Sequence, residues 1–117
     1  PDSAPVLLDG RDPVEYAVSH LPGARLAPDV ETAREVARPR VERPIVVYCS
    51  VGYRSARLAR ALRAEGFTDV RNLEGSIFQW ARHGLPLVRA GERVRTVHPF
   101  GAPWSWLIEP ELRAEPG

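Results

Sequence analysis

Four consecutive residues, Ile45-Val46-Val47-Tyr48, are β-branched or aromatic with no polar residue among them. A strand with one wet face alternates apolar and polar side chains, so a strand without alternation is covered on both faces, as a central strand of a parallel sheet is. The run ends at Cys49, the only cysteine in the chain. With 117 residues the chain has the length of one domain, enough to bury about two-thirds of its unfolded surface without metal or disulfide staples.

The remaining segments supply the partners such a strand needs. Val6-Leu7-Leu8, stopped by Asp9-Gly10, predicts a first strand. Asp12-Pro13-Val14-Glu15 combines an N-cap acid, proline at the first helical position and Glu three residues after the cap, predicting a short helix to about Ser19. His20-Leu21-Pro22-Gly23 breaks it, and residues 24–27 can form a short strand. Pro28-Asp29 opens a second helix, in which Val30, Ala33, Val36 and Ala37 recur at helical spacing until Pro39. After a loop over residues 50–53, a third helix keeps Leu58, Ala59 and Leu62 inward and Arg57, Arg60 and Arg63 outward, with Gly66 as its C-cap. Residues 69–73 read as a strand, residues 75–82 as a helix, and Gly84-Leu85-Pro86 as its end. Strands alternating with helices predict an α/β fold, a small parallel sheet with helices on both faces. From Arg89 onward the chain reads as irregular.

Composition excludes several functions. The net charge is +1, and the 16 basic residues, all Arg, are interspersed with 15 acids, which gives no electrostatic footprint for nucleic acid. The absence of lysine removes Schiff-base and phosphate-loop lysine chemistry. No apolar run approaches the roughly 20 residues of a membrane span. His20, His83, His98 and Cys49 lack the close spacings of a zinc site, so neither a metal nor another cofactor is expected.

The chemistry is concentrated in Cys49-Ser50-Val51-Gly52-Tyr53-Arg54-Ser55, between the carboxyl end of the most buried strand and the first turn of a helix. In open α/β sheets ligands bind there. Backbone N–H groups and the helix dipole converge on one point and favour an anion. A thiol in that position is expected to be acidified, and the thiolate is the nucleophile. Gly52 lets the loop curl, Arg54 offers a planar fork for donor oxygens, and the Ser55 hydroxyl can donate to sulfur. A cysteine alone at a strand end would be one more small buried residue. The Gly, Arg and Ser that follow have no packing purpose, and they point to catalysis or sulfur carriage.

At these residues the chain resembles the rhodanese-like sulfurtransferase family, over residues 6–88. Leu8-Asp9-Gly10-Arg11, Glu15-Tyr16 and His20-Leu21-Pro22-Gly23-Ala24 are similar to its amino-terminal signature. Residues 49–55 are similar to the Cys-x-x-Gly-x-Arg-Ser/Thr loop of single-domain members. Asn72-Leu73-Glu74-Gly75-Ser76-Ile77-Phe78-Gln79-Trp80 resembles the carboxyl-side signature, with Ser76 where a second glycine is common. The resemblance implies that Cys49 accepts a sulfane sulfur as a persulfide and passes it on, with Ser50, Val51, Gly52, Tyr53, Arg54 and Ser55 cradling that sulfur. Asp9, Arg11 and His20 match signature positions and are expected to hold the fold, since an Asp-x-Arg pair at a strand end ties loops together. Trp80 is expected in the core. Ser50, Val51 and Tyr53 are neutral where thiosulfate-type members carry basic residues, so the donor, thiosulfate or a persulfide, stays open. With no second cysteine, the acceptor must be an external thiol, a cyanide-like nucleophile or a partner protein.

Two rivals remain. A phosphatase or arsenate reductase on this fold places five residues between Cys and Arg, whereas four lie between Cys49 and Arg54, which suits a single sulfur atom. A non-catalytic carrier, sensing or interaction module would also keep the cysteine. The cytoplasm is the expected compartment, because a persulfide requires a reduced cysteine; Pro1 in place of Met is compatible with a removed leader. Residues 1–117 are expected to form a single domain, with 89–117 docked on the 6–88 core. Phe100, Trp104, Trp106, Leu107 and Ile108 are too apolar for a loose tail, and Pro103 can open a short helix presenting three of them on one face.

Overall fold

The structure is a computed structural model, which describes residues 4–40, 42–99 and 110–114. Strand β1 (Val6–Asp9) is followed by helix α1 (Pro13–Val18), the short strand β2 (Arg25–Leu26) and helix α2 (Val30–Ala37). Then come β3 (Ile45–Tyr48), α3 (Tyr53–Ala64), β4 (Val70–Asn72) and α4 (Ser76–Arg82). The four strands form one sheet in the order β2-β1-β3-β4, every pair parallel. β3 is therefore central, with Val6 opposite Ile45 on one side and Val70 opposite Ile45 on the other.

Both faces of the sheet are covered, which is why β3 shows no polar alternation. Ala33 and Ala37 of α2 and Leu58, Ala59 and Leu62 of α3 pack on Val6, Leu8, Ile45, Val47 and Val70. On the other face Ile77, Phe78 and Ala81 of α4 pack around Tyr48, Leu21 and Ala24. Arg57, Arg60 and Arg63 are exposed, as the helical spacing predicts. Trp80 is half-buried against the second cluster, with its indole N–H donating to the Pro86 carbonyl at 2.7 Å.

The segment read as irregular begins instead with a β-hairpin, β5 (Leu87–Arg89) and β6 (Glu92–Val94). Its two-residue turn has φ +50° at Ala90 and +82° at Gly91, the twist that matches a hairpin. Ala at the first of those positions hides the turn, because Asn, Asp or Gly is the usual signal there. Beyond it, Val97 and Leu112 are buried in the second cluster, and backbone bonds join Val97 to Leu112 and Ala114. The aromatic cluster at Phe100, Trp104, Trp106, Leu107 and Ile108 lies outside the described residues.

A chain ending at Val88 loses Val97 and Leu112 from that core. Each buried large aliphatic side chain stabilises by roughly 1.5–3 kcal/mol, so this chain should melt well below the full protein or aggregate. Unchanged melting, together with rapid proteolysis between Arg89 and Arg95 in the full chain, would show that the segment is not docked.

Candidate active site

β3 delivers Cys49 at the carboxyl end of the sheet's centre, and α3 starts four residues later. Gly52, the N-cap of α3, has φ +120°, a conformation closed to residues with a Cβ except under strain. This turn brings the Gly52 N–H to 3.1 Å from Cys49 Sγ. The Ser55 hydroxyl, in the first turn of α3, lies 3.4 Å from the same sulfur. Ser55 Oγ is also 2.6 Å from Asn72 Oδ1 and 3.2 Å from the Gly52 carbonyl. Its single proton can serve one of these acceptors at a time. Asn72 Nδ2 donates to the Gly52 carbonyl at 3.1 Å, closing a ring that holds the turn.

Helix α4 fixes the loop from behind. The Cys49 N–H donates to Ser76 Oγ at 3.1 Å, and the first amides of α4, on Ile77 and Phe78, donate to the carbonyls of Cys49 and Ser50. These bonds satisfy N–H groups that a helix start leaves without intrahelical partners. Ser76 has φ +51°, which explains why its position suits glycine. The left-handed conformation costs about 1–2 kcal/mol for an L-residue, and the hydroxyl gained at the Cys49 amide offsets part of it.

Helix α1 holds the loop from the opposite side through Glu15, which is 1% exposed. Arg54 Nη1 and Nη2 donate to Glu15 Oε1 and Oε2 at 2.7 and 2.9 Å. Ser50 Oγ donates to Glu15 Oε2 at 3.1 Å, and Arg54 Nη2 donates to Ser50 Oγ at 2.8 Å. The Asp12 N–H donates to Glu15 Oε1 at 3.0 Å, the bond expected from the capping sequence. Burial raises the Glu15 carboxyl pKa, but the bonds from Arg54 and Asp12 and the charges of Arg54 and Arg11 bring it below the usual range.

Of the loop residues singled out in the sequence, Gly52 and Ser55 reach Cys49 Sγ, while Ser50 and Arg54 join the Glu15 carboxylate. Val51 packs partly on the second core cluster, and Tyr53 is 67% exposed. Asp9, Arg11 and His20 belong to a neighbouring network. Arg11, fully buried, donates Nε and Nη2 to Asp9 at 2.9 and 2.6 Å and Nη2 to the Ser19 carbonyl at 2.7 Å. The Tyr48 hydroxyl donates to Asp9 at 2.7 Å and accepts the Leu21 N–H at 3.1 Å. His20 stacks on Tyr16 at 3.8 Å and pairs its backbone with Val88. Sequence reasoning gave Glu15 only a helix-capping role and gave Asn72 and Ser76 none beyond motif membership. The only trace of their roles was that all three sit inside the flanking signatures.

Cys49 is 1% exposed. Burial pushes its thiol pKa up, but the Ser55 hydroxyl, the N–H groups of Ser55 and Gly52, and the Arg54 charge outweigh this, and the net direction is down. Only the thiolate is alkylated. Iodoacetamide alkylation of the folded protein should therefore reach half its limiting rate at lower pH than in the urea-unfolded chain. A midpoint at or above the unfolded one would mean that burial wins. The same sign gives the thiolate a stabilising contribution above the unfolded-state pKa, lost as pH falls through the folded-state value.

The rhodanese-like domain model matches residues 1–83. The chain is 38% identical over 82 residues to a probable adenylyltransferase/sulfurtransferase MoeZ of Mycobacterium tuberculosis, an alignment covering 68% of this chain and 21% of that protein. It is thus similar to about a fifth of that longer relative. Over 83 residues it is 37% identical to a sulfurtransferase of Allochromatium vinosum, covering 71% of this chain and 78% of that one. The rhodanese-like domain of the Alr3790 protein from Anabaena superposes with a TM-score of 0.64 at 29% identity, covering 73% of this chain and 87% of that one. With this sheet, this loop and a match over most of its length, the chain belongs to the rhodanese-like domain family.

Proposed function

We propose that the protein is a sulfurtransferase that moves a sulfane sulfur through Cys49. The observation that carries this reading is the convergence of the Gly52 amide and the Ser55 hydroxyl on Cys49 Sγ at the end of the central strand. The Cys49 thiolate attacks the outer sulfur of a donor. As the new S–S bond forms, the donor's bond to that sulfur breaks and its electron pair leaves with the donor, as sulfite from thiosulfate or a thiolate from a persulfide. A nucleophilic acceptor, thiol or cyanide, then attacks the outer sulfur of the Cys49 persulfide, and Cys49 departs as thiolate. Because the chain has one cysteine, the acceptor thiol comes from another molecule, small or protein. Residues 50–55 form the cradle, while Asp9, Arg11 and His20 hold the framework beneath it.

A second reading is a sulfur carrier without turnover, in which the near-complete burial of Cys49 limits the access of acceptors to its sulfur. Phosphoryl chemistry is disfavoured by the short span from Cys49 to Arg54 and by the engagement of both Arg54 Nη groups with Glu15. Intact-mass measurement after incubation with thiosulfate, mercaptopyruvate or a small persulfide tests these readings. The expected result is a gain of one sulfur that disappears, with thiocyanate released, when cyanide is added. A gain that no acceptor discharges would leave the carrier reading. No gain from any donor would sink both.

A further inference from the structure

The loop's one cation is bonded to a carboxylate. Both Nη groups of Arg54 are spent on the two oxygens of a carboxylate that is itself buried, and the pair is tied to Ser50 and to the start of α1. A paired guanidinium presents a dipole to its surroundings in place of a net charge, so its attraction for a distant anion falls steeply. The remaining cradle side chains, Ser50, Val51, Tyr53 and Ser55, are uncharged. Beside the cradle lies a groove of 680 Å³ whose wall includes Leu73, Trp80 and Ser76, the last bonded to the Cys49 amide. A Cβ placed on Gly52 would stand 3.9 Å from the Ser76 hydroxyl, so groove and cradle share this wall. Among the groove's lining residues the carboxylate is Glu74, and the imidazole of His83 lies 2.7 Å from the Gln79 amide nitrogen. Among the described residues no arginine lines it.

We infer that Glu15 is a positioning residue that withdraws Arg54 from donor recognition, and that the site therefore selects persulfides carried on uncharged groups over the thiosulfate dianion. This rests on the sulfur-transfer reading and narrows its donor class. In the favoured reaction the Cys49 thiolate attacks the outer sulfur of R–S–SH, a new S–S bond to Cys49 forms, the donor's own S–S bond breaks, and R–S⁻ leaves with that electron pair while the proton stays on the transferred sulfur. No oxidant or reductant is consumed. The apolar wall of Leu73 and Trp80 accommodates R, and Glu74 repels a dianion approaching along the groove.

Glu15→Gln tests this directly, since glutamine keeps the shape and an acceptor for the Asp12 N–H but leaves Arg54 an uncompensated cation. Relative kcat/KM for thiosulfate against the persulfide of N-acetylcysteinamide should rise about tenfold, the order expected from one unpaired charge near an ionic donor in a partly exposed site. The alkylation midpoint of Cys49 should also fall by about one pH unit. The double variant Glu15→Gln with Arg54→Gln, uncharged as a pair, should return the donor ratio to the wild-type value, while the alkylation midpoint rises because the Arg54 charge that favours the thiolate is gone. A purely structural Glu15 would instead lower both donors together and leave their ratio unchanged, which overturns the inference. So does a selective loss of thiosulfate activity in the double variant, because Arg54 would then be the donor's grip; this arm decides the matter even if Glu15→Gln alone fails to fold. Wild-type protein that takes sulfur from neither donor sinks the transfer reading, while the alkylation midpoints still test the lock between Glu15 and Arg54.

Discussion

Cys49→Ser should abolish the one-sulfur mass gain and the cyanide-dependent release of thiocyanate while leaving the melting temperature nearly unchanged. Oxygen in place of sulfur keeps the hydrogen bonds available to the Gly52 amide and the Ser55 hydroxyl, and the substitution changes little volume at a site that is already closed. It removes the proposed nucleophile altogether, because a serine hydroxyl without an adjacent general base is a weak one and cannot hold a sulfane sulfur as a persulfide does. No other residue in the chain can substitute, since the sequence contains a single cysteine. Transfer activity that persists in purified Cys49→Ser would overturn the assignment. A large fall in melting temperature would show that the thiol matters to the fold.

The opposite pattern is expected at Asp9. Asp9→Ala leaves the Arg11 guanidinium, fully buried, without the carboxylate that accepts two of its N–H bonds, and leaves the Tyr48 hydroxyl without its acceptor. Breaking a buried ion pair on one side costs about 3–5 kcal/mol, because a buried charge is left uncompensated. Against a total stability of about 5–15 kcal/mol this is a large fraction. For a domain of this size the melting temperature should fall by more than about 10 °C. Calorimetry checks it. A variant that melts within a few degrees of the wild type would mean that water reaches Arg11 and that the network is less dry than its burial indicates. Asp9→Asn, which keeps an acceptor oxygen but loses the charge, should fall in between.

These two sites differ in how visible they were in the sequence. Cys49 was legible because its chemistry is local: an unalternating strand ends at it, and Gly52, Arg54 and Ser55 follow at the spacing of a helix start. β1, α2, β3 and α3 were legible for the same reason, their periodicity being written in consecutive residues. β5 and β6 were not. Each has three residues, and their turn places Ala90 where a stronger turn residue is usual.

What local pattern could not carry was partnership at long separation. Arg54 pairs with Glu15 across 39 positions, Cys49 with Ser76 across 27, and Ser55 with Asn72 across 17. Read along the chain, Arg54 is a fork aimed at a donor and Glu15 is a helix-capping acid. Folded, each occupies the other. That a parallel α/β sheet would present Cys49 on an amide-rich loop at its carboxyl edge was legible along the chain, because strand burial, helix starts and glycine turns depend on neighbouring residues. Which group meets the loop's single cation came only with the packed fold, because the partner of a charge is chosen by which elements come together, and α1 brings its buried carboxylate to Arg54.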